Sequence, residues 1–121
     1  MRDEWTKPMT DEQLEEPLRK LIEAVEGGSW DCWDNGKAAL KPFDAGSMSL
    51  VVNAYKGSLN AAKALHEALL PGWFPGMSQN IHNGYWYAWV QTREDRHFSA
   101  TESDPARAWL LATLKAYEAQ Q

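Results

Sequence analysis

Apolar residues at Leu18, Leu21, Ile22 and Val25 recur at the three- and four-residue spacing of one helix face. Pro17 is tolerated at a first helical position, where its missing N–H needs no partner. The spacing therefore predicts a helix over 17–26. Thr10 and Gln13 fit a capping box, which places a turn at 10–15. Gly27-Gly28 ends the helix, because a left-handed C-terminal cap favours glycine. Residues 47–55, SMSLVVNAY, fit two periods. Met48, Leu50, Val52 and Ala54 alternate as in a strand, while Met48, Val51, Val52 and Tyr55 fit a helix. The adjacent valines favour the strand.

Ser58 is a good N-cap, and the alanine- and leucine-rich run 59–70 is a strong helix former. Pro71-Gly72 stops it. Asn83-Gly84 predicts a two-residue hairpin turn joining strands at 77–82 and 85–91. The polar stretch Arg93–Arg96 leads to a third strand at 97–101. Asp104-Pro105 caps and opens a last helix over 105–119, whose apolar stripe runs from Ala108, Trp109, Leu111 and Ala112 to Tyr117. Residues 1–9 read as a loose terminus and 29–46 as an irregular loop. This order predicts one α+β domain over 1–121. Its core is a small antiparallel sheet of three strands, or four with 47–55, packed between helices.

Three stretches carry a resemblance. Tyr55–Trp73 (YKGSLNAAKALHEALLPGW) looks like the central signature of the phage "ABA sandwich" domain family. The aromatic run Gly84–Trp89 and the closing stretch 104–116 resemble that family's second half, and Leu18–Glu26 its first helix. The resemblance spans roughly residues 18–117, and 29–54 is longer and less matched. It implies a bacteriophage or prophage gene and a small sheet between helices. It implies no established activity and carries over no catalytic residue.

With 121 residues and 13.7 kDa, the chain is one domain's worth. No apolar run approaches the about 18 residues of a membrane span. The first residues lack the apolar region of a secretory signal. Cys32 is the single cysteine and has no internal disulfide partner. These features point to a cytoplasmic protein. The net charge is −5, unevenly spread: residues 1–35 hold ten acids and four bases, the remainder seven acids and eight bases. A basic nucleic-acid footprint is absent.

Candidate chemistry is sparse. No glycine loop has phosphate-binding spacing. His66, His82 and His97 fall in separate elements, and a composite of His82 and His97 on neighbouring strands is the geometrically possible histidine metal site. Cys32 lies between Asp31 and Asp34, which disfavours a thiolate. Asp31 and Asp34 have the spacing of a general acid and base or of ligands to a divalent cation, and a small hydrolase would act through them or through a histidine. No metal, cofactor or catalytic residue is expected.

The seven tryptophans stand out. Trp73, Trp86 and Trp109 read as core. Tyr85, Tyr87 and Trp89 share one face of the middle strand, with Trp86, Ala88 and Val90 on the other. A strand apolar on both faces is expected to be covered on both. Acids beside indoles have the composition of an interface. The expected partner-binding set is therefore Glu23, Glu26, Trp30, Asp31, Trp33 and Asp34. The alternative ligand set is Tyr85, Tyr87, Trp89, Arg93 and Arg96, suited to stacking a base and holding a phosphate.

The expected function is a non-enzymatic, phage-encoded counter-defence protein that binds and inhibits a host immune component, in the manner of an anti-CRISPR. Sequestration of a nucleotide immune signal and a small hydrolase are the alternatives. The partner is a host protein, with no direct nucleic acid and no membrane, and a homo-oligomer is allowed. The expected site is the cytoplasm of an infected bacterial host.

Overall fold

A computed structural model of the chain describes residues 19–26 and 46–120. Among these, helix α1 covers residues 19–26, α2 Gly46–Tyr55 and α3 Leu59–Leu69. Strands β1 (Phe74–Gln79), β2 (Trp86–Gln91) and β3 (His97–Glu102) follow, then α4 (Pro105–Ala119). The strands form one antiparallel sheet in the order β1-β2-β3. The class is α+β, as the element order predicts.

Residues 47–55 are helix, not strand. Val51 and Ala54 are fully buried at helical spacing, while Leu50 and Val52, on the supposed strand face, are only half-buried. Packing against α3 and α4 outweighs the β preference of the valines. Gly57, at φ +109°, ends α2. Its N–H donates to the Ala54 carbonyl, and the Ser58 N–H to that of Asn53. This paired arrangement satisfies the last carbonyls of the helix. Ser58 then caps α3, its Oγ accepting from the Ala61 N–H at 3.1 Å. Asp104 caps α4 in the same way, accepting from the Arg107 N–H at 3.0 Å, with Pro105 in the first turn.

The first hairpin is longer than Asn83-Gly84 alone would make it. Gln79 pairs with Trp86. The Asn80 N–H donates to the Tyr85 carbonyl, and the Gly84 N–H to that of Asn80, both at 2.8 Å. Only Gly84 has a positive φ (76°); Asn83 does not. The Asn80 and Asn83 side chains instead accept from the N–H groups of His82 and Tyr85. These local bonds compete successfully with the two-residue turn. The first strand consequently begins three residues earlier than expected, at Phe74, and takes in Pro75 and Gly76.

α4 lies across β2 and β3, on the face lined by Ala88, Val90 and Ala100. α3 and α2 pack behind it. The core is Leu21, Ile22, Val25, Val51, Leu65, Leu110 and Leu114 with many alanines. Trp73, Trp86 and Trp109 are half-buried, so the indoles flank this core rather than build it. Trp109 donates through Nε1–H to Nδ1 of the buried His66 at 3.2 Å, and the opposite ring nitrogen, Nε2, faces the Trp73 carbonyl at 3.0 Å. With Nδ1 accepting, Nε2 carries the proton and donates, so one neutral imidazole joins α3, α4 and the entry to β1. Arg107 ties α4 to α2 by donating twice to the Tyr55 carbonyl, its guanidinium 4.1 Å from the Tyr55 ring centre.

Candidate binding surface

Alternation along β2 assigns its side chains to two faces. Trp86, Ala88 and Val90 face α4. Tyr87, Trp89 and Gln91 face the other way. The register sets Ser78, Tyr87 and Thr101 side by side across the three strands, then Gly76, Trp89 and Ser99, then Phe74, Gln91 and His97.

This second face is open. Phe74 is 45% exposed, Tyr85 47% and Tyr87 38%. Among the described residues, cover on both faces of β2, which its two-sided apolarity favours, is therefore not found. Ala88, Val90 and Ala100 seat α4 on the inner face with Trp86 and Phe98 half-buried beside them, while Tyr87 and Trp89 lie on the outer face. Gly76 explains how Trp89 sits there. A Cβ at Gly76 would lie 2.2 Å from the indole ring, so the ring rests on the bare backbone of β1. Tyr87 packs beside it, ring centres 5.6 Å apart and tilted by 35°.

The two arginines of the ligand set part company. Arg93 stands over Phe74, 5.8 Å from the ring centre, at one end of the open face. Arg96 stands over Phe98, which lies on the α4 side. The open face thus gathers Tyr87, Trp89 and Arg93, with Tyr85 at the hairpin end, but not Arg96. Phe74 and Gly76 belong to it as well. The misplaced start of β1 hid them, although the Phe-Pro-Gly run bordering an aromatic strand is visible in the sequence.

The acidic set is only partly described. Glu23 and Glu26 are exposed on α1, and Glu26 pairs with Lys115 of α4 at 3.4 Å. Arg19 pairs with Glu118. Trp30, Asp31, Trp33 and Asp34 lie outside the described residues, as do Cys32, the turn at 10–15, the loose terminus and the irregular loop up to residue 45. His82 and His97 do not meet: His82 is in the β1–β2 hairpin, and His97 starts β3 at the opposite end of the sheet. Their composite metal site is ruled out by this separation.

Electrostatics mark one further group. Burial raises Glu102 above the usual carboxylate range; Arg107 and Lys115 oppose the shift, and Glu26 adds to it. Its Oε1 is buried with no hydrogen-bond partner among the described residues. Burial also raises the Tyr117 phenol. No helix among the described residues is long and apolar enough to cross a membrane.

The open face offers ring stacking, neutral hydroxyl and amide hydrogen bonds, and one guanidinium at its end. No protein-family model matches the chain, and no curated protein or solved structure is significantly similar to it.

Proposed function

We propose that this is a non-enzymatic binding protein whose binding surface is the open face of its sheet. One observation carries the reading: Phe74, Tyr85 and Tyr87 are each more than a third exposed beside Trp89, on a face that leaves them without helical cover among the described residues. Exposed rings on a rigid strand are efficient anchors, because they give large contact area for little lost side-chain freedom. The face holds no carboxylate side chain among its nine register positions, so an apolar or neutral partner surface meets no buried like charge there.

The partner in this reading is a protein of the bacterial host, and the role is counter-defence. Both elements rest on the resemblance to the phage domain family. The nucleotide alternative draws on Arg93, which brings a cation to the end of the ring stripe where a phosphate would lie.

The test is capture from host lysate, with mass spectrometry of retained proteins and small molecules, using the natural chain and Tyr87→Ser in parallel. The proposal expects a partner retained by the natural chain and lost from the variant. A partner retained equally by both would overturn the assignment to this face. Restored plating of a defence-restricted phage by the expressed protein is the readout for counter-defence. Its absence across the defence systems tried would remove that role.

A further inference from the structure

Among the described residues the sheet has two free edges, and they differ. In the β1–β2 ladder, Asn80 bonds Tyr85, so the backbone groups of Phe74, Gly76 and Ser78 point to β2 and those of Pro75, Met77 and Gln79 point outward. Pro75 thus takes a donor from the β1 edge, a common way of blunting an edge. In the β2–β3 ladder, the Thr92 N–H bonds the Arg96 carbonyl at 2.9 Å. Phe98, Ala100 and Glu102 therefore face β2, and His97, Ser99 and Thr101 present their backbone groups to the free edge. That edge has no proline, glycine or lysine.

Such a row of donors and acceptors is a template for another extended backbone, and the sequence of β3 matches itself. In an antiparallel pair centred on Ser99, Arg96 stands opposite Glu102 of a second copy, Phe98 opposite Ala100 and His97 opposite Thr101. Alternation puts Arg96, Phe98, Ala100 and Glu102 on one face, so the opposed side chains can meet. Symmetry gives each contact twice: two opposite-charge pairs and two large–small pairs. A shift of two residues would lose both charge pairs. The register also brings a cation to Glu102, a half-buried carboxylate with one oxygen unpartnered.

We propose that β3 pairs antiparallel with β3 of a second copy, centred on Ser99, to join two three-stranded sheets into one six-stranded sheet. His97–Thr101, Ser99–Ser99 and Thr101–His97 each exchange two backbone hydrogen bonds. The aromatic faces of both copies then lie on the same side of one continuous sheet. This pairing does not depend on what the open face binds.

Sedimentation analysis over a range of protein concentration tests it. The natural chain is expected to dimerise. Arg96→Glu and Glu102→Arg each place like charges opposite one another twice, and each is expected to weaken the dimer about tenfold or more. An equimolar mixture of the two variants restores opposite charges at both positions and is expected to form a heterodimer as tight as the natural dimer. Ser99→Pro is the second arm. Its N–H points away from β2, so circular dichroism should be unchanged while the dimer is lost. A chain that stays monomeric at every concentration overturns the proposal. So does a dimer indifferent to Ser99→Pro, or a mixture no tighter than either variant alone.

Discussion

The two faces of β2 are built differently. Toward α4 the strand shows Ala88 and Val90, both fully buried, with Ala100 beside them on β3. Away from α4 it shows Tyr87 and Trp89. Trp86 also lies on the inner side, half-buried, so each face of β2 carries an indole and the outer one adds the exposed Tyr87. Small inner residues let α4 come close, and its own Leu110 and Leu114 fill the interior. The outer rings rest on Gly76 and on each other. Face assignment follows the parity of alternation and the position of the helices, not residue size.

That difference makes the two faces respond differently to substitution. Leu110→Ala should cost about 2–5 kcal/mol, since Leu110 is fully buried in the interior that α4 closes. Tyr87→Ser should stay within about 1 kcal/mol, because the ring is already partly in water. Urea unfolding of both variants measures the contrast, and equal losses would mean that the outer face is also core.

His66→Leu sharpens the role of the neutral imidazole behind the sheet. It leaves the Trp109 N–H and the Trp73 carbonyl without their partner, and a loss of about 1–3 kcal/mol is expected by the same assay. Thr113→Val works in the other direction. Thr113 is fully buried in α4, and its Oγ1 has no hydrogen-bond partner among the described residues. Removing the hydroxyl at constant shape should stabilise the fold by about 1 kcal/mol.

The smallest effect concerns pH. The folded-state pKa of Glu102 is raised, chiefly by burial, so its charge is disfavoured in the fold. Stability should therefore rise as pH falls from neutral through the raised Glu102 pKa, and level off once the unfolded carboxylate is protonated too. At concentrations low enough to keep the chain monomeric, Glu102→Gln should be more stable than the natural chain at neutral pH. The gain should vanish below the ordinary carboxylate range. A gain that persists in acid would assign it to something other than charge.

Where the local signal was strong and unopposed, sequence and structure agree. Ser58 and Asp104 cap the helices that follow them, Pro71-Gly72 ends α3 within a residue of the expected place, and three antiparallel strands follow in order. The failures lie where two local rules compete. Residues 47–55 satisfied both periods, and contacts with α3 and α4, which no local window contains, decided for the helix. Asn83-Gly84 was a strong turn signal, but the Asn80 side chain, three residues upstream, helps set the longer turn. That shift moved β1 and hid Phe74 and Gly76 from the candidate surface. Arg93 and Arg96 are three residues apart around a turn containing Asp95 at φ 65°, which sends them to different rings. The stripe of Tyr87 and Trp89 was legible from alternation alone. Its exposure was not, because cover depends on where the helices go.

Hydroxyl-radical footprinting of the purified protein, alone and in host lysate, tests the central claim most directly. Leu59 is exposed at the start of α3, which packs behind α4, and serves as an internal reference. Phe74, Tyr85 and Tyr87 should label readily in the isolated protein. In lysate these three should become protected while Leu59 does not. Unchanged labelling of the three rings, with protection confined to other surfaces, would contradict the assignment of the open sheet face as the binding surface.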